Sequence, residues 1–167
     1  MTFAGRLDWF CDRINRAVEG AIGLLAAMMI VVIFAQVIFR YVLDSSLTWS
    51  EELARYTFIW VIFLGTSCAM RRGQHMAVEG IFETIPTRWV SAFKIIVGVT
   101  NAALFSIVIY TGLILTHNAA TQVSTALEIP ILFVYVAAPI GGALTLLHIA
   151  NGIVQILFGA RSVATTV

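Results

Sequence analysis

The chain has 167 residues, 60% of them hydrophobic and 11% charged, with a formal net charge of +1 and a mean hydropathy of +0.94. A soluble domain is about 45–50% apolar and about 25% charged, so water is excluded as this chain's main solvent and a bilayer must take its place. A net charge this small also excludes a global field that would gather nucleic acid.

The few charges fall in clusters. No Asp, Glu, Lys or Arg occurs in the 20 residues between Glu19 and Arg40, the 15 between Arg55 and Arg71, the 33 between Lys94 and Glu128, or the 32 between Glu128 and Arg161. A spanning helix needs roughly 20 apolar residues. The gaps therefore predict an all-α membrane protein with four spans near 20–40, 50–71, 93–115 and 131–157. They form a single transmembrane domain over 20–158, between an amphipathic arm over 1–19 and a tail over 159–167.

In the arm, Leu7, Trp9, Phe10, Ile14 and Val18 approximate one helical face. An interfacial helix is expected, with Trp9 at headgroup depth. Asp8, Asp12 and Glu19 stand among Arg6, Arg13 and Arg16, and the apolar stretch that follows exceeds the roughly 7–15 residues of a signal peptide. The first span is therefore read as retained. Near its end Gln36 and Arg40 are four apart and share a face.

The second span opens with Thr48-Trp49-Ser50-Glu51-Glu52, then Leu53-Ala54-Arg55-Tyr56. Thr48 and Glu51 have capping-box spacing. Glu51 and Glu52 lie in the first turn, where the helix dipole favours anions. Glu51 and Arg55 have i,i+4 spacing. Unpaired charges at this depth are costly, so Arg40 is expected to pair with Glu51 or Glu52 and tie the first two spans together. Gly65 and Ala69 form a small-xxx-small pair suited to close helix approach.

The loop after Arg71 and Arg72 contains Gly73 at a position suited to end the helix. An interfacial helix is expected over 76–85, before Pro86, with Trp89 at the interface. In the third span Gly98, Ala102 and Ser106 form a small-residue stripe, and Asn101 is expected to bond to another helix. Residues 116–128 form a polar loop without Lys or Arg. Pro130 suits the first turn of the fourth span, and Pro139 should kink that span beside Gly141-Gly142. His148 is expected to be a hydrogen-bonded packing residue.

Lys and Arg counts set the orientation. With the N-terminus inside, the inner segments hold Arg6, Arg13, Arg16, Arg71, Arg72, Arg88, Lys94 and Arg161, and the outer ones hold Arg40 and Arg55. Both termini are therefore expected to be cytoplasmic. Cys11 and Cys68 then lie at the inner side or within a span, as ordinary thiols.

The chemistry is sparse. A secondary transporter needs polar or ionisable groups near the midplane. The candidates here are Gln36, Thr100, Asn101, Thr145 and His148, with no deep carboxylate. No phosphate loop, zinc spacing or nucleophile–base pairing occurs, so neither an enzyme nor a metal site is expected. An auxiliary subunit fits better than a self-sufficient transporter. The alternative is a haem-binding anchor of a respiratory enzyme using His75 and His148. It is weakened because His75 follows Gly73 in a loop.

Several runs together resemble a known family. They are Gln36-Val37-Ile38-Phe39-Arg40-Tyr41-Val42, Trp49-Ser50-Glu51-Glu52-Leu53-Ala54-Arg55-Tyr56, Trp60 with Gly65, and Arg72-Gly73-Gln74-His75-Met76-Ala77-Val78-Glu79. Leu127-Glu128-Ile129-Pro130 and Tyr135-Val136-Ala137-Ala138-Pro139-Ile140-Gly141 add to them. This set is similar to the small (Q-type) membrane subunit of tripartite ATP-independent periplasmic (TRAP) transporters, over about residues 30–145. Met76 and Glu79 depart from the family's commoner Ile and Asp.

The resemblance implies a small permease subunit in the bacterial inner membrane, partnered by a large permease subunit and a periplasmic binding protein. It implies sodium-coupled import of an organic-acid anion. Sodium and substrate would bind the large subunit, and this chain would hold no cofactor. It also implies structural roles: Arg40, Glu51, Glu52 and Arg55 at the outer helix ends, Trp49 and Trp60 as anchors, and Arg72 and His75 at the inner turn.

Overall fold

Long apolar runs leave the backbone no partner except itself, so in a bilayer they coil into helices that satisfy every N–H and C=O internally. The computed structural model describes residues 3–72 and 87–157. Within them lie α1 (Phe3–Tyr41), α2 (Thr48–Arg71), α3 (Thr87–Asn118), the short α4 (Leu132–Tyr135) and α5 (Ala137–Leu157). Among the described residues, four stretches are long and apolar enough to cross a membrane: Gly5–Tyr41, Thr48–Arg71, Ala92–Asn118 and Leu132–Ile156. The only strand-like feature among the described residues is a bridge between Val123 and Pro130.

The arm and the first span are one uninterrupted helix of 39 residues. At 1.5 Å per residue it is about 58 Å long, roughly twice the hydrocarbon thickness, so its N-terminal part extends past the apolar layer. Trp9 and Phe10 stay exposed, and the Arg13 guanidinium lies 5.7 Å from the centre of the Trp9 ring. The opposite face of the arm, carrying Asp8, Cys11 and Asn15, turns toward the other helices. The residues expected as an interfacial helix over 76–85, together with Gly73 and the tail, lie outside the described residues. So does the side chain of Trp89.

The helices follow one another in space as α1–α2–α5–α3, with α1 also touching α5. This is an open series and not a closed ring. None of the most apolar part of the Gly5–Tyr41 stretch is buried within the chain, against 44% for that of the Leu132–Ile156 stretch. Glycines bring the central helices together. A Cβ on Gly141 would lie 2.6 Å from the Cβ of Phe63 and 2.8 Å from its carbonyl oxygen, so α5 crosses α2 at backbone contact. Gly142 faces Ile109 of α3, where a Cβ would come within 2.8 Å of Cγ1. Met70, Phe105 and Ile149 form the apolar core, with Ala102, Leu146 and Ile153 against them.

Three local expectations are corrected, and the position of the kink expected from Pro139 is refined. The capping box is absent. Leu47 is the N-cap and makes no side-chain bond, so Thr48 is already inside the helix. The Ser50 hydroxyl donates to the Leu47 carbonyl at 2.6 Å instead. The break in the fourth span comes at Val136, ahead of Pro139. A proline ring clashes with the carbonyl four residues earlier, here Tyr135, so the helix restarts with Pro139 in its first turn. Pro139 then packs on α3, where a Cβ on Gly112 would meet its Cδ at 2.9 Å. Gly65 is not a close-approach point, since nothing lies within 4 Å of a Cβ placed there. The small stripe of α3 contacts α5 through Gly98, beside Ile153, and Ala102 packs on the apolar core, but Ser106 is exposed and donates to its own helix at Ala102.

Candidate functional site

Polar side chains gather at two opposite ends, which we term the loop end and the arm end. At the loop end, α2 carries Glu52 up against the segment joining α3 to α4. That segment is folded back by paired bonds from Ser124 N to Ile129 O (2.9 Å) and from Ile131 N to Gln122 O (3.0 Å). Glu128 sits at its bend with a positive φ of 55°, a conformation unfavourable for a side-chain-bearing residue. The turn leaves the N–H groups of Ala126 and Leu127 pointing at α2. Both donate to Glu52 Oε2, at 2.9 and 3.0 Å. Glu52 Oε1 accepts from the Tyr56 hydroxyl at 2.5 Å, and the Ser124 hydroxyl accepts from Leu127 N at 3.2 Å. One carboxylate thus satisfies two backbone donors of a distant loop, which fixes that loop to α2. A second tie lies about two turns deeper, where Trp60 Nε1 donates to the Phe133 carbonyl at 3.0 Å, bonding α2 to α4.

At the arm end, α1, α2 and α5 meet. Arg71 Nη2 pairs with Asp8 at 2.7 Å and also with Asp12, and its Nε donates to Asp12 at 3.0 Å. Arg72 pairs with Glu19 at 2.7 Å. Asn15 Nδ2 donates to Glu19 at 2.7 Å. Asn151 Nδ2 of α5 donates to Asp8 at 3.0 Å. The Arg71 side chain is enclosed while its two acids remain partly exposed. The ion pairs lock the arm to the end of α2.

These bonds rearrange the predicted roles. Arg40 forms no ion pair with Glu51 or Glu52 among the described residues, and Glu51 forms none with Arg55. All three of Arg40, Glu51 and Arg55 are exposed, and the Glu52 oxygens are occupied by Tyr56 and the loop. Gln36 is half-buried and Trp49 exposed. Arg72 pairs with Glu19 of α1, while the turn it was expected to fix lies outside the described residues. His75 lies outside the described residues, so nothing is said of its pairing with His148. Asn101 bonds to Val97 of its own helix at 3.0 Å, not to a neighbour. His148 is enclosed, but neither ring nitrogen has a hydrogen-bond partner among the described residues, contrary to expectation.

Sequence reasoning missed most of the arm end. Its signal was a polar face at helical spacing: Asp8, Asp12, Asn15 and Glu19 on α1, and Thr145, His148, Asn151 and Gln155 on α5. The four on α5 are all buried. Between α1 and α2 there is also a groove of about 330 Å³ lined by Glu19, Ile22, Gly23, Gly65, Cys68, Ala69 and Arg72. The described residues hold no cluster of three or more metal-ligating side chains. What the arrangement does chemically is hold helices and a loop in place.

The family model for the DctQ component of tripartite ATP-independent periplasmic transporters matches residues 29–159. A Haemophilus influenzae protein named as a TRAP transporter small permease is 36% identical over 73 residues, 44% of this chain and 45% of that protein. The isethionate TRAP transporter permease protein DctMQ of Oleidesulfovibrio alaskensis is 30% identical over 126 residues, 71% of this chain and 20% of that protein. The ectoine TRAP transporter small permease protein TeaB of Halomonas elongata is 28% identical over 143 residues, 84% of this chain and 72% of that protein. The chain thus spans less than half of the first of these proteins and a fifth of the second.

Proposed function

The chain belongs to the DctQ component family of the tripartite ATP-independent periplasmic transporters, as a multi-pass protein of the inner membrane, and on that premise we propose that it is the fixed scaffold subunit of a sodium-coupled importer. Its partners are a large permease subunit, which carries the substrate and sodium sites, and a periplasmic binding protein, which delivers an organic-acid anion. It has no enzymatic activity and no cofactor of its own. Both termini lie in the cytoplasm, as the basic bias of the arm-end segments supports.

The observation that carries this reading is where the polar bonds go. Glu52, Trp60, Arg71 and Arg72 each spend their bonds within the chain, and α5 is seated on α2 at backbone contact. Such a body resists the helix movements that alternating access requires. The exposed apolar surface of α1 supports a contact with a larger membrane partner. The DctMQ relative supports the same pairing, because this chain matches only a fifth of it. Relatives are named for isethionate, ectoine and C4-dicarboxylates, which supports a substrate choice made outside this subunit.

Reconstitution tests the proposal. The large subunit and the binding protein are placed in liposomes with and without this chain, and uptake is driven by a sodium gradient. Uptake is expected to fall to background without the chain. Undiminished uptake in its absence overturns the proposal.

A further inference from the structure

At the arm end, α1 runs into the bundle while α5 runs out of it, and the Asn151–Asp8 bond sets their level. With about 1.5 Å of rise per residue, His148 stands about 4.5 Å deeper than Asn151, level with Cys11, and Asn15 stands about 10 Å deeper than Asp8. All four side chains are enclosed: Cys11 and Asn151 are 0% exposed, His148 4% and Asn15 8%.

The orientation of both amides is fixed by their bonds. Each Nδ2 must face an acid, Glu19 for Asn15 and Asp8 for Asn151, because carboxylates only accept. Each Oδ1 therefore points away from its acid, and neither meets a donor among the described residues. Both ring nitrogens of His148 also lack a partner among the described residues. Buried polar atoms without partners are destabilising. Four such atoms on neighbouring turns of two helices call for a shared ligand.

The chemistry of the four atoms selects that ligand. Two amide oxygens need donors, and an imidazole needs one donor and one acceptor. A metal cation accepts nothing from the ring N–H and meets Arg71 nearby. An anion faces two amide oxygens and the carboxylates of Asp8 and Asp12. Water both donates and accepts, and buried water normally makes two to four such bonds. We propose that the seam between α1, α2 and α5 is a water-binding site, in which enclosed water joins Asn15, His148 and Asn151 into one network. The site holds α1 against α5 at a depth where their side chains make no direct bond at His148. It depends only on the chain's interior and stands apart from any transport role.

Pulsed hydroxyl-radical labelling of the intact chain tests it, because radicals form from water wherever water is held. After correction for intrinsic reactivity, His148 and Cys11 are expected to be oxidised several-fold faster than Phe105, which is comparably enclosed in the apolar core. Asn151→Leu, with helix content unchanged, is expected to abolish the excess at His148. Labelling of wild-type His148 and Cys11 at the slow rate of Phe105 overturns the proposal, whether or not the variant folds. Fast labelling that Asn151→Leu leaves unchanged also overturns it, since that is open solvent and not a held site.

Discussion

At the loop end Glu52 meets three donors, whereas at the arm end His148, equally a polar residue on a spanning helix, meets none among the described residues. The loop end is closed by a single carboxylate clamping backbone donors on a segment more than seventy positions away. The arm end is held by ion pairs at its rim, with unsatisfied amides and an imidazole beneath them. The difference teaches that charge clusters at the two ends of the same helices serve unlike purposes. One fastens a loop, and the other fastens a whole helix and encloses polarity.

Substitutions can break or sharpen this contrast. The largest effect is expected at the crossing that joins both ends. Gly141→Leu drives a side chain into the Phe63 backbone, and overpacking of this kind costs about 1–3 kcal/mol or more. Loss of both the α2–α5 contact and co-purification with the large subunit is expected, read by thermal unfolding in detergent and by pull-down. Arg71→Met comes next. It removes an enclosed guanidinium from two partly exposed acids, for a loss of about 1–3 kcal/mol, between the values for exposed and buried pairs. Proteolysis should then release the arm while the loop end stays protected.

Glu52→Gln tests the opposite end. An amide keeps one acceptor oxygen but presents two donors to Ala126, Leu127 and Tyr56. Hydrogen exchange at the Ala126 and Leu127 amides should accelerate, with no change at the arm. Trp60→Phe removes one hydrogen bond to Phe133, for about 0.5–1.5 kcal/mol, and should loosen α4 alone. The smallest effect is expected for Arg40→Gln, which breaks no ion pair among the described residues. Unfolding of that variant should match wild type, and a marked loss would mean that Arg40 is held by another subunit.

The sequence by itself determined that there are four spans, roughly where they lie and which family they belong to. Each of these follows from local composition or short motifs: an apolar run must coil whatever its neighbours are, and charges must stay at its ends. It also singled out Glu52, Trp60, Arg72, Pro139 and Gly141, because polar, kinking or small residues stand out against an apolar background. Their partners were decided only by tertiary structure. Local spacing offered Arg40, Glu51 and Arg55 as ion partners, but Glu52 bonds to a loop 74 and 75 positions away. The arm's acids reach Arg71 across 59 and 63 positions, and Asn151 reaches Asp8 across 143. Nor could spacing separate Gly141, packed on Phe63, from Gly65, which faces open space. Helical periodicity shows which residues share a face, but the order α1–α2–α5–α3 determines what that face meets.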